Sequence, residues 1–427
     1  MRQHDMPNSA FRVLVASLAG TTIEFFDFYI YATAAVIVFP KLFFPSTDPT
    51  SGVLESLATF ALAFFARPVG SALFGHFGDR LGRKATLVAS LMTMGISTVA
   101  IGLLPTYRSI GIAAPVLLAL FRFGQGVGLG GEWGGAVLLA TENAPAGRKA
   151  WYGMFPQLGA PLGFILSSGV FLVIGNVMNN DQFLAYGWRI PFILSFLLVG
   201  VGLYVRLKLI ETPAFLKAVQ ENQRVKFPLA DVFTRYGRVL LVGTIIAILI
   251  FLIFYLMTVF TLSWGTSVLA YSRARFLSAQ LISMLFFAGG ILISSALAGR
   301  YSPRAMLMVS SAAIFLFGLF FPRLFVGGDW TRVVAFLGLG MFLTGVNYGP
   351  LGTALADLFP VPVRYTGASL SFTLAGILGA SLTPYFATHL AKSYGLAYVG
   401  YYLCLAAVLS LLILVPARTL MQGSPKG

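Results

Sequence analysis

Residues 75–84 read Gly75-His76-Phe77-Gly78-Asp79-Arg80-Leu81-Gly82-Arg83-Lys84. The stretch carries three cations, one acid and three glycines where two apolar runs, 53–77 and 84–104, meet. Each run is close to the ~20 residues a helix needs to cross a bilayer core. A connection this short and this basic has the composition of a cytosolic loop between two membrane helices. Gly75 and Gly82 permit close approach and a tight turn. Asp79, near a helix start, is expected to cap that helix and to be favoured by its dipole. Arg83 can reach an acid at the end of a neighbouring helix, such as Glu142.

Outward from this loop the same pattern recurs. Apolar runs lie near 11–39, 53–77, 84–104, 111–140, 152–177, 188–208, 238–263, 277–298, 304–325, 331–356, 366–390 and 395–416, which predicts twelve membrane helices. Of the 427 residues 58% are apolar and 10% charged, against about 25% charged in soluble domains. That excludes a soluble enzyme, a disordered chain and a coiled coil. The fold class expected is an all-α membrane protein, and the first run, with Glu24 and Asp27 in it, is read as a helix rather than a signal peptide. A formal charge of +15 invites a nucleic-acid partner, but the cations sit in short loops, so the partner is the lipid bilayer. With the N-terminus inside, 19 Lys and Arg fall on the cytosolic side, among them Arg2, Arg206, Arg224, Arg418 and Lys426, and 8 on the outer side. Both termini are therefore expected in the cytosol. The single cysteine, Cys404, and three scattered histidines offer neither a disulfide nor a metal site, and no cofactor is implied.

The longest hydrophilic stretch, 209–237, divides the chain into bundles of six helices at 1–208 and 238–427. The halves resemble each other. The fourth run ends in Glu142-Asn143-Ala144-Pro145, followed by Arg148 and Gly153; the tenth ends in Asp357-Leu358-Phe359-Pro360, followed by Arg364 and Gly367. The acids are 215 residues apart, and glycine-rich helices follow both. Duplication of a six-helix half is the simplest explanation.

The loop at 75–84 matches the signature G-x-x-x-D-[RK]-x-G-[RK]-[RK] of the major facilitator superfamily at every defined position. Within that superfamily the chain resembles the metabolite:proton symporter family, in Glu24-Phe25-Phe26-Asp27-Phe28, Arg67-Pro68-Val69-Gly70, Gly130-Gly131-Glu132-Trp133-Gly134-Gly135, Trp188-Arg189-Ile190-Pro191-Phe192 and Arg364-Tyr365-Thr366-Gly367. The resemblance covers essentially the whole chain. It implies a bacterial inner-membrane protein, monomeric, that moves a small metabolite with protons. Members carry dicarboxylates and tricarboxylates, shikimate, or proline and betaine. Two features depart from the family. Phe25-Phe26 stands where Trp-Tyr is more usual, and the loop Ala298-Gly299-Arg300-Tyr301-Ser302-Pro303-Arg304 lacks the acid and the Gly-Arg pair of the repeated signature.

A charge buried in a membrane helix costs at least about 2.5–3.5 kcal/mol on insertion scales, so each needs a reason. Glu24, Asp27 and Tyr31 share one face of the first helix. Arg67, Arg122 and Glu132 are the other charges deep in the first half. Burial disfavours a carboxylate and a nearby guanidinium favours it. If Asp27 and Arg122 meet and part, Asp27 can bind and release a proton; if they never part, they are a structural ion pair. Related symporters use a first-helix acid and a fourth-helix arginine in the first way. Glu24 shares the proton or packs. Arg67 is the expected anchor for a carboxylate substrate, which its planar fork fits, or else the partner of Glu132 or Asp27. Glu132 binds substrate, carries a proton or neutralises Arg67. Tyr31, Gln125, Gln157 and Asn347 are expected to line the cavity, the last three with the alternative of hydrogen bonds between helices. Gly75, Asp79, Gly82, Arg83, Lys84, Glu142, Arg148, Asp357 and Arg364 are expected to gate the cytosolic side. A channel, a membrane enzyme and an exporter of apolar compounds are the competing classes. Against them stand the duplication, the missing nucleophile or metal motif, and the buried arginines.

Overall fold

A computed structural model describes residues 10–45, 49–221 and 225–416. Arg2, Arg224, Arg418 and Lys426 of the topology argument lie outside the described residues. Twelve described helices are long and apolar enough to cross a membrane. They are α1 (Ala10–Ile37), α2 (Glu55–Leu81), α3 (Arg83–Leu103), α4 (Ala113–Glu142), α5 (Lys149–Val177), α6 (Arg189–Leu207), α7 (Gly237–Ser267), α8 (Arg275–Tyr301), α9 (Pro303–Leu324), α10 (Trp330–Leu358), α11 (Val361–Tyr394) and α12 (Leu396–Leu414). Each lies within five residues of the apolar run that predicted it. Hydropathy fixes these bounds because a backbone in lipid has no hydrogen-bond partner outside its own helix.

Packing divides the chain into two units, Met1–Asn143 with Leu158–Lys226, and Ala144–Gln157 with Phe227–Gly427. In the first unit α2 and α4 cross at glycines. A Cβ on Gly70 would stand 1.9 Å from the Val127 carbonyl oxygen, and one on Gly130 would stand 2.0 Å from that of Arg67. In the second, α8 and α10 cross in the same way: a Cβ on Gly290 would lie 2.3 Å from the Phe342 oxygen and one on Gly345 2.1 Å from that of Phe287. Small residues replace the missing hydrophobic drive between membrane helices with close backbone contact. The two crossings correspond residue for residue. Gly70 and Gly290 lie 220 positions apart, Val127 and Phe342 as well as Gly130 and Gly345 215 apart. Glu142 and Asp357 have the same 215 spacing. A third correspondence places Gly163 of α5 on Phe25 and Phe26, and Gly379 of α11 on Phe251 and Leu252. The internal repeat read from the loops is thus carried by the helix crossings.

In the second unit α7 is interrupted by one wide, π-type turn over Leu256–Phe260. The Gln280 side chain of α8 donates to the carbonyls of Met257 (3.1 Å) and Thr258 (2.6 Å) that this turn loosens.

Candidate functional site

The first unit holds every buried charged residue among the described residues: Glu24, Asp27, Asp79 and Glu132, with Arg67, Arg83, Arg122 and Arg206. Four acids balance four cations, and all the cations are arginine. Arginine suits such places because its fork satisfies several acceptors at once and its weakly hydrated face tolerates aromatic rings.

Arg67 comes from the middle of α2. Its Nη2 lies 4.0 Å from Glu24 Oε1 of α1. Its guanidinium lies 4.7 Å from the centre of the Phe28 ring and 5.6 Å from that of Phe64. Nε and Nη2 of Arg67 and Oε2 of Glu24 are buried without hydrogen-bond partners. Arg122 of α4 faces the same Phe28 ring at 4.9 Å and stacks on Tyr31 at 3.9 Å. The Tyr31 hydroxyl is tied to Thr59 (2.7 Å).

The expected direct contact of Asp27 with Arg122 is absent; a polar chain takes its place. Arg122 Nη1 donates to Gln125 Oε1. Gln125 Nε2 donates to Thr98 Oγ1 (2.8 Å) and to the Asp27 backbone carbonyl (3.2 Å). The Thr98 hydroxyl donates to Asp27 Oδ2 (2.9 Å). Gln125 therefore joins helices, the alternative to a cavity-lining role. It lies one helical turn from Arg122, close enough for the two side chains to meet.

Glu132 is a correction. It does not neutralise Arg67, and its carboxylate is not open to a ligand. Both oxygens are taken by Arg206 of α6, one through Nη1 at 2.8 Å and the other through Nη2. Ser90 adds a bond at 3.3 Å. Arg206 Nη1 also bonds the Leu87 carbonyl (2.8 Å). A Cβ on Gly20 would collide with both side chains, so the bare glycine of α1 makes the room. Hydropathy places Arg206 near a helix end and so among the topology signals; its burial at 1% exposure becomes visible only with α4 beside it. Arg189, at the start of α6, donates to the carbonyls of Gly102 and Leu104, both at 2.7 Å. It caps the end of α3.

At the loop between α2 and α3, Arg83 bonds Asp79 (3.0 Å), the Gly78 carbonyl (2.7 Å) and Glu142 (3.4 Å). Asp79 is not a helix cap. It belongs to the last turn of α2, and α3 begins after Gly82. The acid at that N-terminus is Glu211, whose Oε2 accepts the Lys84 backbone N–H (3.2 Å). Thr212 donates to Glu142 (2.6 Å), and the Lys84 ammonium donates to the Leu207 carbonyl (2.8 Å). Gly82 has φ 117°, and a Cβ there would stand 2.1 Å from Glu211; glycine is required on both counts. Gly75 is buried and Arg148 is exposed. Glu211 and Thr212 went unread because a linker acid gives no sign in sequence of the loop it docks on.

In the second unit Asn347 donates to Ser310 (2.9 Å), and its Oδ1 is buried without a partner. Gln157 donates to the Tyr348 carbonyl (2.8 Å), the interhelical alternative for this residue. Asp357 pairs with Lys149 (3.5 Å), and Arg364 bonds the Phe359 carbonyl (3.0 Å).

Twelve spans in duplicated bundles, with a charge cluster sealed inside one of them, define a membrane transporter of the major facilitator type. The family model of the sugar (and other) transporters matches residues 12–234. The inner membrane metabolite transport protein YhjE of Escherichia coli (strain K12) is 54% identical, over 96% of this chain and 94% of that protein. The shikimate and proline/betaine transporters of the same organism are 34% and 32% identical, over 89% and 97% of this chain and 87% and 85% of theirs. Among solved structures, the proton:xylose symporter XylE superposes with a TM-score of 0.77 at 15% identity, over 96% of both chains. The chain belongs to the sugar (and other) transporter family, and its fold is that of the major facilitator structures. It is a multi-pass inner-membrane transporter of metabolites and not an enzyme.

Proposed function

We propose that the chain is a proton-coupled symporter that imports a small organic acid by alternating access of its two six-helix halves, 1–208 and 238–427, around the 209–237 linker. The observation that carries the substrate class is Arg67. It is buried, held only loosely at 4.0 Å by Glu24 and backed by two ring faces, with two N–H-bearing nitrogens unsatisfied. A buried guanidinium with unused donors is costly, and a bidentate carboxylate satisfies it. The proton falls to Asp27, with Glu24 one turn away on the same helix and Arg122 linked to it through Gln125 and Thr98; Tyr31 orients Arg122. Gln125, Gln157, Asn347 and Glu132 act in this reading by holding helices rather than by touching substrate. The network of Gly75, Asp79, Gly82, Arg83, Lys84 and Glu142, with Arg148, Asp357 and Arg364, gates the cytosolic side.

A second reading is import of a zwitterionic osmolyte such as proline or betaine. The unpartnered Oε2 of Glu24 and the aromatic faces beside it favour this, since a substrate ammonium could sit there while its carboxylate meets Arg67. Counterflow in proteoliposomes with mono-, di- and tricarboxylates, shikimate, betaine and proline separates the two. In either case Arg67→Lys keeps the charge and loses the fork, and apparent affinity for the compound found should fall about tenfold. Unchanged uptake by Arg67→Ala removes Arg67 from the site.

A further inference from the structure

The chain from Arg122 to Asp27 has a direction. A guanidinium only donates, so the Gln125 end facing it must be the carbonyl. The amide nitrogen then faces Thr98, whose oxygen accepts at 2.8 Å. The one hydroxyl proton of Thr98 has two acceptors in reach, Asp27 Oδ2 at 2.9 Å and the Met94 carbonyl at 3.0 Å. Toward a charged Asp27 it donates to the carboxylate. Toward a neutral Asp27 it can turn to Met94. The other carboxylate oxygen, Oδ1, has no hydrogen-bond partner. The Ser195 hydroxyl of α6 is near the Asp27 carboxylate. The charges facing α1 from its neighbours are Arg67 on α2, Arg122 and Glu132 on α4, and Arg206 on α6, with Glu24 one turn away on α1 itself. Arg67 is engaged with Glu24, and Arg206 with Glu132. Arg83 of α3 is bound to Asp79 and Glu142.

We propose that Gln125 and Thr98 are positioning residues that relay the charge of Arg122 to Asp27 Oδ2, and so set how firmly Asp27 holds its proton. This rests on the proton-coupled reading above. Three aligned bonds polarise one another in a dry interior, all with hydrogen directed toward the carboxylate. Oδ1 is left as the oxygen that takes the transported proton. An anion bound at Arg67 that, across the shared Phe28 ring, draws Arg122 from Gln125 unloads the relay and leaves Asp27 protonated, so that substrate and proton are bound together, as symport requires.

The test needs no substrate. The full chain in proteoliposomes is titrated with pH by infrared difference spectroscopy, reading the C=O band of protonated carboxyl groups. Asp27→Asn should remove a titrating band and so assign it. Thr98→Val and Gln125→Leu should each move the midpoint of that band up by about one pH unit, the loss of one charge-assisted bond. Thr98→Ser should restore it. Adding Arg122→Gln to Gln125→Leu should shift it little further, because the path is already cut. Unmoved midpoints in Thr98→Val and Gln125→Leu, with the band still lost in Asp27→Asn, overturn the relay and leave proton coupling through Asp27 standing. A band that persists in Asp27→Asn overturns both.

Discussion

The two units solve the same helix crossings with different chemistry. Carried through the crossings, Arg67 corresponds to Phe287, Glu132 to Asn347, Ser90 to Ser310, Glu24 to Ile250 and Asp27 to Ile253. Ser90 bonds Glu132 in one unit, and Ser310 bonds Asn347 in the other. The scaffold is retained and the charge removed. A buried charge needs a partner on another helix at each step of assembly, whereas an amide needs one hydrogen bond. In the proposed function the charged unit carries the ion chemistry, and the neutral one supplies a frame of apolar and amide groups.

The connecting loops repeat the contrast. Gly82 and Ser302 both precede a helix, with φ and ψ of 117° and 158° in one and 120° and 150° in the other. Glycine adopts this conformation freely; serine is strained in it by about 1–3 kcal/mol. Serine is tolerated because its hydroxyl accepts the Ala305 N–H at 3.2 Å, capping the helix. Gly82 has no such freedom to change, since the Glu211 carboxylate fills the place of a side chain.

The largest test of the comparison is to give the first unit the neutrality of the second. Asp27→Asn should abolish accumulation driven by an imposed pH gradient while leaving substrate exchange measurable in the same vesicles. Normal accumulation would mean that Asp27 does not carry the proton and would shift that role to Glu24 or Glu132. Next in size is the Arg206–Glu132 pair. Arg206→Ala strands a buried carboxylate and should lower stability by about 3–5 kcal/mol, seen as a fall in the detergent melting temperature. The double variant Glu132→Asn with Arg206→Leu imports the second unit's solution and should recover most of that loss. A double variant as unstable as the single one would show that the Ser310–Asn347 arrangement is not a transferable substitute. In the loops, Gly82→Ala should cost about 1–3 kcal/mol from strain and displacement of Glu211. The smallest effect belongs to Ser302→Gly. Relief of strain and loss of the cap oppose each other there, and the melting temperature should change by the equivalent of less than about 1 kcal/mol.

What could be read in advance depended on range. Arg83 with Glu142 was legible, because a loop arginine and a helix-end acid announce each other by type and position. The partner of Asp27 was misjudged: Gln125 and Thr98 are neutral, and neutral residues between two charges leave no mark in a one-dimensional reading. Asp79 looked like a cap because it stands near a helix boundary, yet the boundary falls three residues later, at Gly82.

By itself the sequence determined the twelve spans, the duplication and the presence of costly charges in the first half. These follow from local quantities, apolar length and the spacing of glycine, proline and acid, which the bilayer converts directly into structure. Only the tertiary structure decided which arginine each buried acid meets. Ion pairing acts over a few ångströms between helices far apart in the chain, and α1, α2, α3, α4 and α6 bring Glu24 to Arg67, Glu132 to Arg206, and Asp27 to Arg122 through two neutral side chains.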